Sequence, residues 1–193
     1  MVEQVSTGHK NPGPNKRREM SRAAISWGGM SVIRAFAWVC AMSMSLPALA
    51  RETGPVTNLP LPRYVSLKAS EGNVRRGPSL THRIDWVFKR RDMPLRITAE
   101  HGHWRRVEDR DGMGGWVHYS LLSGTRTVIV QQDLLTVRAR PATDAPVTAA
   151  FEAGVIARLG KCDAEWCRVS AGGHRGWAPK ARLWGVRMDE VRN

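Results

Sequence analysis

The chain has 193 residues, 42% of them hydrophobic, and 30 Lys and Arg against 17 Asp and Glu give a formal net charge of +13. That length fits one ordinary domain or two small ones once an N-terminal segment is set aside, and no separate catalytic domain is expected beside them. The charge favours anionic partners, or merely keeps the chain soluble, and it excludes no fold.

Residues 1–29 carry Pro12, Pro14 and the basic cluster Lys16-Arg17-Arg18, with no apolar periodicity. Ser31 to Leu46 is then mostly apolar, with Arg34 before its densest part, and it runs into Leu46-Pro47-Ala48-Leu49-Ala50 and the polar Arg51-Glu52. A basic start, a short apolar run and an A-x-A end predict a secretory signal peptide over 1–50, cleaved after Ala50. The apolar run from Ala35 to Leu46 is shorter than the roughly 20 residues of a spanning helix, which disfavours a permanent anchor. The long stretch before it leaves Met30 or Met20 as alternative starts to Met1. The flanks of Arg17-Arg18 fit twin-arginine export poorly, and Trp38-Val39 before Cys40 does not fit a lipoprotein. The expected compartment is the periplasm, with no stable membrane span after cleavage. Six of the basic and two of the acidic residues lie within 1–50, which leaves a net charge of +9 on the remainder.

Residues 51–61 contain Gly54, Pro55 and Pro60 without regular pattern and read as a flexible leader. From Pro62 the chain repeats itself. Asn73-Val74-Arg75-Arg76-Gly77-Pro78 recurs as Thr136-Val137-Arg138-Ala139-Arg140-Pro141, Trp104-Arg105-Arg106-Val107 as Trp166-Cys167-Arg168-Val169, Gly115-Trp116-Val117 as Gly176-Trp177-Ala178, and Leu122-Ser123-Gly124 as Leu183-Trp184-Gly185. The offsets are 63, 62, 61 and 61, longer than most solenoid periods and suited to two similar small domains. The boundaries are placed at 62–124 and 125–186, with a tail over 187–193.

Within each repeat the pattern is short strands. Leu95, Ile97 and Ala99 alternate with Arg96 and Thr98, and Val155, Ala157 and Leu159 with Ile156 and Arg158. Asp109-Arg110-Asp111-Gly112 and Ala171-Gly172-Gly173-His174 read as hairpin turns. No amphipathic helix of useful length follows residue 62. The class is all-β, and closure into two tandem small barrels would hide the strand edges.

These residues carry a resemblance. The order Asn-Val-Arg-x-Gly-Pro, Trp-x-x-Val, Gly-Trp-Val resembles the bacterial SH3-like domain family, most fully through Asn73, Val74, Arg75, Gly77, Pro78, Trp104, Val107, Gly115, Trp116 and Val117. The second repeat departs from it at Thr136, Arg140 and Ala178. The match runs from about Pro62 to Gly185, and the whole chain is similar to exported proteobacterial proteins with paired SH3-like modules. The resemblance implies a fold more than a function, because such modules bind wall polymers, dock proteins or accompany wall enzymes.

If Val107 and Val169 face the interior, period two turns Trp104 and Trp166 outward to a rim, with Trp116 and Trp177 nearby. Together with Arg75, Arg105, Arg106 and Arg138 they form the candidate binding set, able to stack on sugars or cradle an extended peptide. Packing mass is the competing role for tryptophan in barrels this small, and the modules are expected to pack together with tryptophans between them. Cys162 and Cys167 are a disulfide candidate across a hairpin, against a redox-active pair or free thiols. No third ligand joins His101 and His103, which read as solvated turn residues, and His82, His118 and His174 are scattered. No nucleophile, acid/base pair, phosphate loop or zinc motif stands out, so no enzyme, metal or cofactor is expected.

The leading expectation is a non-catalytic periplasmic binding module for peptidoglycan or another envelope component. The alternative is a periplasmic adaptor that binds an extended peptide segment of an envelope protein. A nucleic-acid partner is not expected, since it would require the signal-peptide reading to fail.

Overall fold

The computed structural model describes residues 52–193. The signal peptide, its cleavage after Ala50 and the alternative starts lie outside the described residues. Among the described residues no helix is long and apolar enough to cross a membrane.

The first repeat supplies β1 (Arg63–Leu67), β2 (Gly72–Arg75), β3 (Ile84–Phe88), β4 (Pro94–His101), β5 (Trp104–Glu108), β6 (Gly114–His118) and β7 (Leu122–Ser123), with a 3₁₀ turn at Tyr119–Leu121. The second supplies β8 (Thr127–Val130), β9 (Leu135–Arg138), β10 (Val147–Phe151), β11 (Ile156–Cys162), β12 (Trp166–Ala171), β13 (His174–Pro179) and β14 (Leu183–Trp184), with a 3₁₀ turn at Lys180–Arg182. Each repeat forms one antiparallel seven-stranded sheet. The strand orders β3-β2-β6-β5-β4-β1-β7 and β10-β9-β13-β12-β11-β8-β14 are the same permutation. The described residues are all-β, as the alternating pattern predicts.

Alternation decides which side chains enter each core. In β5 Val107 is buried and Arg106 exposed, and in β12 Val169 is buried and Arg168 exposed. The first core joins Leu67, Val74, Phe88, Leu95, Ile97, Val107 and Val117. The second joins Val128, Val130, Leu135, Val137, Phe151, Leu159, Val169 and Leu183 with both cysteines. The β12–β13 hairpin closes on Gly172 and Gly173, whose φ angles of +58° and +82° are those of a type I′ turn.

The sheets meet at their β1/β4 and β8/β14 sides. Thr127 Oγ1 donates to the Asp92 carbonyl at 2.7 Å. Trp184 packs edge-on against Tyr64 with centroids 5.4 Å apart, and the Arg126 guanidinium lies 5.6 Å from the same ring. One tryptophan, Trp184, therefore stands at the junction.

The segments before β1 and after β14 are both held. Residues 52–61, read as a patternless leader, form a turn with a Thr53–Pro60 bridge. The Val56 and Thr57 amides and the Thr57 hydroxyl donate to the Glu100 carboxylate at 3.1, 2.9 and 2.7 Å. One buried acceptor thus anchors a turn that its own Gly54–Leu59 and Asn58–Gly54 backbone hydrogen bonds close, and no local periodicity announces such a contact. At the other end Arg192 exchanges both backbone hydrogen bonds with Cys162 at 2.9 Å.

Candidate functional site

The outer face of β4, β5 and β6 carries three rows of side chains. Strand pairing aligns Arg96, Glu108 and Gly114 in one row, and Arg106, Trp116 and Arg75 in the next. The third row is His101, Trp104 and His118. Period two turns all of them away from Val107 and Val117.

Ring contacts knit the last two rows. His101 meets Trp116 edge-on at 6.4 Å, and Trp104 meets His118 edge-on at 5.5 Å. His118 lies 5.0 Å from Tyr119, and His103 lies 5.9 Å from His118 and 5.6 Å from Tyr119. His118 Nδ1 sits 2.7 Å from the Ser120 hydroxyl, which fixes the imidazole plane. The ring faces stay accessible: Tyr119 is half exposed, and Trp104 and Trp116 are partly exposed. Beside them a groove of about 310 Å³ is lined by Arg76, Asp85, Arg106, Glu108, Gly112, Gly114, Gly115 and Trp116. Arg83 and Arg76 hydrogen-bond Asp85 and hold its carboxyl below the usual range, whereas the exposed Arg106 of the groove has no carboxylate partner among the described residues.

The structure brings Arg75, Trp104, Arg106 and Trp116 to this face, but it gives Arg75 an internal task. Its Nη1 donates to the Leu80 and His82 carbonyls at 2.9 and 2.7 Å, pinning the loop between β2 and β3. Arg138 does the same in the second repeat, donating to the Ala145 carbonyl at 2.7 Å. Arg105 is not a rim residue. Period two turns it inward beside Val107, where its Nε lies 3.5 Å from the buried Glu100 carboxylate.

The second repeat does not reproduce the open face. Trp177 keeps the place of Trp116, in register with Arg138. Trp166 departs from the rim expected of it, being only 8% exposed. Its neighbour across β13 is Pro179 rather than a histidine, and Lys180 replaces Tyr119. Lys180 is fully buried, and its ammonium shares its three N–H donors among the carbonyls of Asp163, Ala164, Met188 and Glu190 at 2.5 to 3.2 Å. The last two belong to the C-terminal segment, so this corner is tied to the chain's own end. Cys162 and Cys167 form a disulfide, opposite each other on β11 and β12 and both buried.

Buried charge concentrates at Glu100. Removal from water pushes its carboxyl up, but hydrogen bonds from Thr57, Arg63 and the Val56 amide outweigh this and hold it at about 2. Glu190 is likewise pushed up by burial and brought below its ordinary value by two hydrogen bonds from Arg126.

Sequence reasoning missed His101, His103, His118 and Tyr119 as parts of this surface. The signal was present only in the pairing: His118 falls opposite Trp104 once β5 and β6 are registered by their shared turn. Among the described residues no group of three or more His, Cys, Asp or Glu could hold a metal ion.

A family model described as bacterial SH3 domain matches residues 68–124 and 131–185. No curated protein matches the chain. Among solved structures, NlpC2 from Trichomonas vaginalis is similar at 12% identity and a TM-score of 0.32, over 68% of this chain and 51% of that one. NlpC1 from the same organism is similar at 12% identity and a TM-score of 0.30, over 63% and 45%. The chain thus spans about half the length of these two proteins.

Proposed function

The chain belongs to the bacterial SH3 domain family, and on that footing we propose that it is a non-catalytic periplasmic binding protein for peptidoglycan, with its ligand face on the first repeat. The observation that supports this most is the ring surface of His101, Trp104, Trp116, His118 and Tyr119 beside the exposed Arg106. Flat rings standing on a rigid sheet offer apolar area for sugar faces or peptide stems at little entropic cost. A guanidinium beside them pairs with the carboxylates such stems carry. The signal-peptide pattern of 1–50 and the buried disulfide agree with an oxidising compartment.

Co-sedimentation of the purified protein with peptidoglycan sacculi tests the reading. Trp104→Ala and Arg106→Ala are each expected to weaken retention about tenfold, equivalent to about 1.4 kcal/mol. Retention equal to that of a charge-matched control protein, or unchanged in both variants, would count against it.

A second reading rests on the edge of the same sheet. Among the described residues β3 pairs only with β2, and it exposes Ile84, Trp86 and Val87 at 41, 45 and 42%. An exposed apolar edge is a template for an extended peptide added as a further strand, which suits an adaptor for an envelope protein. In that case Trp86→Glu abolishes partner binding, whereas wall retention through the ring face is insensitive to it.

A further inference from the structure

The second repeat carries basic side chains where the first carries rings. On the outer face of β11, β12 and β13, Arg158, Ser170 and Arg175 stand in register across three neighbouring strands. Each arginine is therefore about 4.8 Å, one strand spacing, from the Ser170 position. Arg168 lies two residues before Ser170 on the same face. All three arginines are exposed, and none has a carboxylate or side-chain hydrogen-bond partner among the described residues. Two shallow depressions of about 400 and 210 Å³ share Arg158, Ser170 and Arg175 as lining. Gly160, in the floor of the smaller one, adds no side chain to fill it.

The corresponding row of the first repeat is Arg96, Glu108 and Gly114. There Arg96 Nη2 donates to Glu108 Oε2 at 2.7 Å, and the third position has no side chain. The second repeat replaces the carboxylate by a hydroxyl and the glycine by an arginine. A neutral pair thus becomes two free guanidiniums flanking a hydroxyl, with a third beside them. Several planar forks on neighbouring strands suit the oxygens of a tetrahedral dianion better than a single carboxylate, which one fork satisfies.

We infer that this face binds a phosphate monoester carried on a soluble or polymer-borne group rather than on a lipid. The apolar lining residues Leu159, Val169 and Ala171 belong to or pack against the core, and the exposed Gly160, Gly172, Gly173 and His174 offer no apolar side chain for insertion into a bilayer. A phosphodiester, with one charge for each phosphate, uses the three cations less fully.

The test is an NMR titration of the ¹⁵N-labelled full-length protein with glucose 6-phosphate at constant ionic strength. The amides of Gly160, Ser170 and Arg175 should shift saturably, and glucose alone should leave them unmoved. Arg168→Gln and Arg175→Gln should each raise the midpoint about fivefold, and Ser170→Glu, which restores the carboxylate of the first repeat, by more than about tenfold. Lys89→Gln, away from the face, should leave it unchanged, and unmoved Val169 and Ala178 resonances report that each variant is folded. Non-saturating shifts, an unchanged midpoint in Ser170→Glu, or tighter binding of a phosphodiester oligonucleotide would each overturn the inference. So would binding to phosphatidic acid vesicles without binding to the sugar phosphate.

Discussion

Glu100 stands opposite Arg105 in the first repeat at the place where Cys162 stands opposite Cys167 in the second. In both, the pair follows a register irregularity beyond Ile97–Val107 or Leu159–Val169. One cross-strand position is thus closed by a buried ion pair in one module and by a covalent bond in the other. Each closure also holds a segment flanking its sheet: the Glu100 carboxylate holds the turn at residues 54–57, and the Cys162 backbone holds Arg192. Because the two devices differ chemically, acid should release the first closure and reductant the second.

Acid should strike the first. The Glu100 carboxyl, held at about 2 against an ordinary 4.5, favours the folded state while ionised. Its contribution is complete above about pH 4.5 and is lost as pH falls toward 2, with a ceiling on the order of 3 kcal/mol. Urea unfolding across that range should show the loss in the wild type and a flatter profile in Glu100→Gln. At neutral pH the same variant should be less stable by about 3 kcal/mol, since it leaves Arg63 and Arg105 without their carboxylate.

Reductant should strike the second. Closing the short loop between Cys162 and Cys167 is worth about 2 kcal/mol in the chain-entropy model. The double variant Cys162→Ala/Cys167→Ala should lose about that amount by denaturant unfolding and gain no further sensitivity to dithiothreitol. A variant as stable as the oxidised wild type would mean that the Arg192 bridge alone holds this corner.

The C-terminal segment should behave as part of the second module rather than as a tail. Lys180 draws two of its acceptors, the Met188 and Glu190 carbonyls, from it, and Glu190 pairs with Arg126 at 2.8 Å. Removing residues 187–193 leaves a buried ammonium short of partners, at a cost of about 2 to 5 kcal/mol. Tryptophan fluorescence should move to the red if Trp166 becomes wetter, and hydrogen exchange should quicken over 161–167. Truncation without either change would show that Lys180 finds water or other carbonyls in their place.

Much of this was legible because it is carried by period two and by repetition. The alternation of Leu95 and Ile97 with Arg96 gives β4, and the recurrence of Trp-x-x-Val and Gly-Trp gives two modules with one strand order. The inward turn of Cys167 beside Val169 follows from the same rule and holds. What stayed hidden depends on contacts between distant residues. Glu100 and the turn at 54–57 are more than forty residues apart, with nothing local to link them. Trp104 and Trp166 occupy one place in the repeat, but their surroundings are set by His118 and Tyr119 in one module and by Pro179 and Lys180 in the other. A repeat alignment equates those positions, although their chemistry differs.

Arg75 and Arg106 offer the sharpest separation of scaffold from ligand face. Both lie in the row with Trp116, so either could pass for a ligand contact. Arg75 gives its hydrogen bonds to the Leu80 and His82 carbonyls, and its loss should cost about 1 to 3 kcal/mol, the range for charged hydrogen bonds. Amide exchange should quicken over 76–83 in Arg75→Ala, while Arg106→Ala, an exposed change, should stay within about 0.5 kcal/mol of wild type. Wall retention should show the reverse order: Arg106→Ala weakens it at full stability, and Arg75→Ala weakens it only where the loop has loosened. If Arg75→Ala abolished retention while its exchange pattern stayed native, Arg75 would belong to the ligand face after all, and the pair Arg138–Trp177 would become the matching candidate in the second module.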